Sequence, residues 1–368
     1  MTRLVAVDLP TSDAFVTALR AIWEDGDAIL PLDQRLPVAA RRAIVARFGA
    51  ARVIDADGDV ALPEPRTYSD DDALIIATSG TTGQPKGVIH THASLAASSR
   101  IVAAALHLGA HDHWLACLPV AHIGGFGVVA RAMATGARLT CVSRPDADAI
   151  AAAADAGATH TSLVPALLGR IDTSRWHTVL VGGASVPHER PANVVATYGL
   201  TETCGGVVYD SRPLGDVDVR IVDDEIQIRT PTLCRGYVDG TANVTDRWLS
   251  TGDLGTWSDG LLHVSGRRDD LIITGGSKVW PQPVERILLA HPLVADAVVR
   301  GIPDETWGSI VCAWIVPRNR TAVPSFDDVR TAVRANLSDV AAPRRIIVVD
   351  SIPRTALGKP IVGELPDR

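Results

Sequence analysis

Ala73-Leu74-Ile75-Ile76-Ala77-Thr78-Ser79-Gly80-Thr81-Thr82-Gly83-Gln84-Pro85-Lys86-Gly87 passes from a short apolar run into hydroxyl and glycine residues and then reaches a lysine. Residues 73–76 read as a buried strand. Beyond them, glycine lets the backbone turn so that successive N–H groups point into one concavity, and the Ser/Thr hydroxyls add rotatable donors. Such a nest, with the ammonium of Lys86, suits a triphosphate. The G-K-[ST] ending of a Walker A loop is absent, so the stretch is not that motif. Taken alone, it is also compatible with a flexible surface turn.

Working outward, strands and helices alternate. On the N-terminal side, Thr11-Ser12 can cap a helix that places Phe15, Ala18, Leu19 and Ile22 on one face. Residues 27–33 read as a strand entering a turn, 37–48 as a helix and 52–55 as a strand. On the C-terminal side come a helix over 94–108, a strand over 114–119 and a helix over 125–135. A strand over 138–143, a helix over 146–156 and strands over 159–164 and 178–181 follow. Alternation of this kind marks an α/β layer fold. Doubly wound sheets bind ligands at the carboxyl ends of their strands, where the loops 78–86, 119–125 and 182–184 are expected.

From Val217 the pattern becomes β-rich, and 219–229 alternates around Asp223-Asp224 as a hairpin. Gly266-Arg267-Arg268-Asp269-Asp270 is a polar link into a smaller region. That region carries helices near 283–289 and 326–337 and strands around 297–300, 311–316 and 345–349. The expected fold is α/β: a large N-terminal domain of layered α/β sheets plus a β-rich subdomain over 1–267, and a small α+β C-terminal domain over 268–368.

The 368 residues allow two or three domains with a large core, and 46% apolar against 21% charged residues is a globular balance. A net charge of −7, with both signs interspersed, argues against an obligatory nucleic-acid partner. The longest apolar runs fall short of a bilayer span, so no membrane insertion is expected. Five scattered cysteines, an odd number without C-x-x-C spacing, and no signal peptide point to a reducing cytoplasm. The pairs His90/His92 and His111/His113 lack the spacing of a helical zinc motif, so no histidine metal site is expected.

Further short motifs carry chemistry. Tyr198-Gly199-Leu200-Thr201-Glu202-Thr203 joins an aromatic face, a tight turn, a hydroxyl and a carboxylate suited to Mg²⁺, although a capped helix start reads equally well. Ser250-Thr251-Gly252-Asp253 sets a carboxylate on a glycine turn suited to ribose hydroxyls, or forms an Asx turn. Arg267 and Asp269 read equally as a solvated charge pair. Lys359, in Pro353-Arg354-Thr355-Ala356-Leu357-Gly358-Lys359, reads alone as a solvated lysine. In order, these motifs resemble the adenylate-forming superfamily of acyl-CoA ligases, peptide-synthetase adenylation domains and luciferases, from about Asp72 to Lys359.

Within it, three segments resemble the o-succinylbenzoate–CoA ligases of menaquinone biosynthesis, actinobacterial forms in particular. They are Gly26-Asp27-Ala28-Ile29-Leu30-Pro31-Leu32-Asp33, Thr161-Ser162-Leu163-Val164-Pro165 and Thr203-Cys204-Gly205-Gly206-Val207-Val208-Tyr209-Asp210. Pro281-Gln282-Pro283-Val284-Glu285 also fits. The phosphate loop comes at residue 78, earlier than in many members of the superfamily.

The resemblance implies ATP, Mg²⁺ and a carboxylic acid as ligands, with CoA as co-substrate. Thr78, Ser79, Gly80, Thr81, Thr82, Gly83 and Lys86 would hold the β- and γ-phosphates. Glu202 would bind Mg²⁺, with Thr201 close to the α-phosphate. Tyr198 and Gly199 with Gly182, Gly183 and Ala184 would form the adenine site, and Asp253 assisted by Arg267 would take the ribose. Lys359 would bridge the acid and the α-phosphate, Asp269 would be the hinge of a mobile C-terminal domain, and Gly275 and Gly276 would flank the CoA tunnel. The acid pocket would draw on His122, Gly124, Ser162, Val164, Gly205 and Gly206, with His122 either facing a second substrate carboxylate or serving as a neutral wall. A homodimer is compatible with the sequence. Alternative activities are another aryl- or acyl-CoA synthetase, or a stand-alone adenylation enzyme loading a carrier protein.

Overall fold

Leu4, Val5, Ala6 and Val7 are all fully buried because their strand, Thr2–Val7, is covered on both faces. Val5 and Val7 join one apolar cluster while Leu4 and Ala6 join another, as the period of two requires. The computed structural model describes residues 1–79, 84–184, 186, 189–354 and 360–366. In the first sheet, Thr2–Val7 pairs in parallel with Ala28–Pro31 and Arg52–Ile54, and Ala28–Pro31 pairs in parallel with Asp72–Ser79. The Asp13–Glu24 helix covers one face, with Ser12 as N-cap accepting from the Phe15 amide, and the Val38–Phe48 helix packs into the cluster on the other.

Asp72–Ser79 continues into an antiparallel partner, Pro85–Thr91, with Thr78 opposite Lys86 and Ser79 opposite Pro85. The following helix, His92–Leu106, therefore starts only after this extra strand. Sequence reading missed the strand because Pro85 and Gly87 are poor strand formers. Gly236–Tyr237 pairs in turn with Pro85–Thr91.

The second sheet has the order Arg212–Pro213, Gly205–Tyr209, Val194–Leu200, Thr178–Val181, His160–Leu163, His113–Ala116, Arg138–Cys141. Val194–Leu200 and the four strands after it in that order run parallel. Their carboxyl ends carry residues 117–122, 164, 182–184 and 201–203. Helices Asp13–Glu24, His92–Leu106 and Ile123–Thr135 contribute to one core with both sheets, through Phe15, Leu95, Val102, Phe126 and Val129.

The hairpin Asp218–Val222/Glu225–Arg229 turns at Asp223 and Asp224, both with positive φ (49° and 64°), as the sequence pattern predicts. The chain divides into two compact units, residues 1–220 with 227–251 and residues 221–226 with 252–368. Residues 252–267 thus group with the second unit, whereas the sequence boundary was expected at 267/268. In that unit the Pro281–Ala290 and Phe326–Asn336 helices pack Val284, Leu288, Val329 and Val333 against Val294–Asp304 and Gly308–Pro317. Among the described residues, no helix is long and apolar enough to cross a membrane.

Candidate active site

Glu202 is held by three strand segments. Val194–Leu200 ends in the 3₁₀ turn Thr201–Thr203, so Tyr198 and Gly199 lie in a strand rather than in the tight turn the sequence suggested. Gly199 is required there: a Cβ would stand 2.0 Å from the Gly205 carbonyl oxygen. Thr203 Oγ1 accepts from the Leu200 amide (2.8 Å) and donates to the Gly205 carbonyl (2.8 Å), and Cys204 turns at φ 58°. The Glu202 carbonyl accepts from the Cys234 amide at 2.7 Å, and its Oε1 accepts from the Tyr237 hydroxyl at 2.8 Å. Lys86 Nζ lies 5.4 Å from the centre of the same tyrosine ring.

His90 supports the turn from beneath. Its Nε2 lies 2.7 Å from the Thr201 carbonyl, which can only accept, so Nε2 carries the proton and Nδ1 faces Ser94 Oγ at 3.2 Å. Burial pushes the fully enclosed His90 down to about 4, opposed by the bond to Thr201, and the imidazole is neutral at pH 7.

The expected acid-pocket residues gather at carboxyl ends of the second sheet. Ser162 is buried in His160–Leu163, and Val164 caps the short helix after it. Gly205 begins the strand beside Ile123, where its Cβ position is 4.0 Å from the isoleucine side chain. Gly206 is the next residue of that strand, and Gly124 lies in the first turn of the helix. His122 is the N-cap residue of Ile123–Thr135, and its Nε2 lies 3.0 Å from Asp33 Oδ2 and 2.8 Å from the Arg35 guanidinium. Arg35 also grips Asp33 through two N–H groups at 2.8 Å. Burial would raise the Asp33 carboxyl, but the bonds from His122 and Arg35 win and hold it well below the usual carboxylate range.

Arg131, on the same helix, escaped sequence reading. It is 7% exposed, its guanidinium lies 5.1 Å from the Trp114 ring centre, and its Nε has no hydrogen-bond partner. A Cβ on Gly127 would stand 3.0 Å from Arg131 NH1, so the guanidinium folds back along the glycine face of the helix. Among the described residues no carboxylate pairs with it; its electrostatic neighbours are Tyr209 and Cys204, on or next to the strand that starts at Gly205. The sequence signal was a lone charge inside an apolar helix.

Gly182 and Ala184 follow Thr178–Val181, with Gly183 between them at φ 81° and the Gly182 amide donating to the Leu163 carbonyl (3.3 Å). In the second unit, Asp253 lies within the strand Trp248–Ser258, so Ser250-Thr251-Gly252-Asp253 is neither a free turn nor an Asx turn. Its carboxylate pairs with Arg267 Nε across the strands at 2.9 Å, which replaces the solvated pair of Arg267 with Asp269. Asp269 lies exposed in a 3₁₀ turn, 268–270. Gly275 and Gly276, with φ of 54° and 79°, turn the hairpin Ile272–Thr274/Ser277–Val279. Gly80, Thr81, Thr82, Gly83 and Lys359 lie outside the described residues.

Residues 55–238 match the family described as AMP-binding enzyme, and 283–359 match its C-terminal domain. A probable 2-succinylbenzoate–CoA ligase of Mycobacterium tuberculosis (strain H37Rv) is 38% identical over 320 residues, 79% of this chain and 82% of that protein. The chain belongs to the AMP-binding enzyme family. A 2-succinylbenzoate–CoA ligase of Bacillus licheniformis is 32% identical to this AMP-binding enzyme, over 79% of this chain and 69% of the relative. The structure of o-succinylbenzoate CoA synthetase (MenE) from Bacillus subtilis with the acyl-adenylate intermediate OSB-AMP is similar at TM-score 0.89 and 26% identity, covering 100% of this chain and 88% of that one. The same enzyme with ATP and magnesium ion is similar at TM-score 0.88 and 26% identity, covering 99% and 89%.

The donor set of this AMP-binding enzyme fits a nucleotide with a hard cation. One Glu202 oxygen is engaged by Tyr237, and among the described residues no hydrogen bond or ion pair takes the other. A carboxylate oxygen is the donor type Mg²⁺ prefers. Lys86 makes no ion pair among the described residues, with Asp239 as an electrostatic neighbour, which leaves its ammonium able to meet an anion.

Proposed function

We propose that this enzyme is an ATP-dependent, AMP-forming acid–CoA ligase whose acid is o-succinylbenzoate, in menaquinone biosynthesis. The observation that carries the choice of acid is Arg131. A buried guanidinium without an acidic partner is costly, and a substrate anion that reaches it relieves that cost. o-Succinylbenzoate has two carboxylates, so one can react while the other meets Arg131. The names of the mycobacterial and bacillar relatives support the same acid.

In the first half-reaction a carboxylate oxygen attacks the α-phosphorus of ATP. The new P–O bond forms as the bond to the bridging oxygen breaks, and pyrophosphate leaves. Two anions must approach, so positioning and fixed positive charge are the main levers. In this reading Lys86 and residues 78–83 hold the β- and γ-phosphates, Thr201 lies near the α-phosphate, and Glu202 holds Mg²⁺, which supplies charge neutralisation when bound. Tyr198 stacks on adenine beside residues 182–184, and Asp253, fixed by Arg267, accepts from the ribose hydroxyls. Lys359 bridges the acid and the α-phosphate, a task suited to a compact charge on a long stem.

In the second half-reaction the CoA thiol forms a C–S bond, the acyl C–O bond breaks, AMP leaves and the thiol proton passes to solvent. Rotation of the smaller domain about Asp269 withdraws Lys359 and brings Gly275-Gly276 to the pantetheine arm. The protein's own thiols are not nucleophiles in this scheme: burial pushes Cys117 and Cys204 up to about 11 and Cys234 up to about 12. All five cysteines are free, which suits a cytoplasmic enzyme.

A pyrophosphate-release assay over acids with and without a second carboxylate tests the reading, run with CoA or with a phosphopantetheinylated carrier protein. The expected result is preference for o-succinylbenzoate and thioester formation on CoA alone. No preference for the dicarboxylate, or transfer to the carrier, would overturn it.

A further inference from the structure

Tyr237 joins two charged groups that the sequence places far apart. Its hydroxyl donates to Glu202 Oε1 at 2.8 Å, and its ring carries the Lys86 ammonium 5.4 Å from the ring centre. The register explains both contacts. Tyr237 lies opposite Val88 in the antiparallel pair with Pro85–Thr91, and Lys86, two residues from Val88, points to the same face of the sheet. The segment is bound on both sides: the Arg235 amide donates to the Ile89 carbonyl (2.9 Å), the Val238 amide to the Gly87 carbonyl (2.9 Å) and the Cys234 amide to the Glu202 carbonyl (2.7 Å). Arg235 adds a bidentate pair to the fully buried Asp72 carboxylate, with both bonds at 2.7 Å. A rigid strand thus holds the backbone and one carboxylate oxygen of Glu202 while its aromatic face limits where Lys86 can go.

We propose that Tyr237 is a positioning residue for the metal–nucleotide complex, turning the second oxygen of Glu202 toward the cation and steering Lys86 toward the phosphates. The proposal rests on the assignment of Glu202 to Mg²⁺. A purely structural tie would act on every ligand and on stability alike. A positioning role acts on metal-dependent nucleotide binding and leaves AMP binding in place.

The test uses the full chain with Mn²⁺ as the probe, its binding in the presence of ATP followed by water-proton relaxation, beside AMP binding by calorimetry. Tyr237→Phe keeps the ring and loses the donor to Glu202, and should weaken Mn²⁺·ATP binding about tenfold with AMP affinity unchanged. Tyr237→Leu also removes the ring under Lys86, and should weaken metal-free ATP binding as well. Glu202→Gln separates the proposal from the reading beneath it. If Glu202→Gln weakens Mn²⁺·ATP while Tyr237→Phe binds it like the parent protein, the positioning role alone is overturned. If Glu202→Gln also binds Mn²⁺·ATP normally, the metal assignment falls and the proposal falls with it. Equal weakening of AMP and Mn²⁺·ATP in Tyr237→Phe likewise overturns it in favour of a structural tie.

Discussion

His90 shows how a single side chain sets a pH limit. Its folded-state value of about 4 lies below the ordinary histidine value near 6.5, so the unfolded chain binds a proton that the folded one excludes. The associated stability is complete above about pH 6.5 and is lost as pH falls from there toward 4, a total of about 3 kcal/mol. His92, His113 and His160 are shifted downward by burial too and act in the same direction. His90→Gln keeps a donor for the Thr201 carbonyl without the titration. Denaturant unfolding between pH 7 and 4.5 should show a shallower loss of stability in this variant, and an unchanged slope would remove His90 from the account. From sequence alone His90 was half of a rejected metal pair. Its role is legible only once the strand Pro85–Thr91 brings it under Thr201.

Among the elements, the strand-to-3₁₀ passage at 199–203 governs the site most tightly. Gly199→Ala would force a methyl against the Gly205 carbonyl, and because both partners are backbone the strands must move. The expected cost is about 3 kcal/mol by thermal or chemical unfolding, with loss of nucleotide binding ahead of global unfolding. A variant of parental stability and affinity would contradict the close approach. Periodicity placed most helices and most of the parallel strands, though not Thr2–Val7, to within a few residues, because each buries a broad apolar face. It failed at Pro85–Thr91, Val194–Leu200 and Gly205–Tyr209, where glycine, proline or hydroxyl residues mask the strand pattern, and it read a glycine turn inside Trp248–Ser258. Pro85–Thr91 and Trp248–Ser258 carry Lys86 and Asp253, so two polar candidates for the site lie on strands that the apolar pattern marks least.

For the molecule as a whole, five short ordered motifs carried the family, and family descriptions and relatives agree with it along most of the chain. The sequence segments point to the acid, whereas the proposed partner of its second carboxylate is a residue no motif contains. Arg131 is a core residue by position, and only the packed structure shows that its guanidinium lacks an acidic partner among the described residues. The measurement that tests this most directly is kcat/KM for CoA-thioester formation, with o-succinylbenzoate and with isosteres lacking one or the other carboxylate, on the parent protein and on Arg131→Met. Removing a buried unpaired charge should leave Tm unchanged or raised. The account predicts that Arg131→Met lowers kcat/KM for o-succinylbenzoate about a hundredfold and abolishes its advantage over the isostere that lacks the non-reacting carboxylate. Retention of the full dicarboxylate preference by Arg131→Met would contradict it.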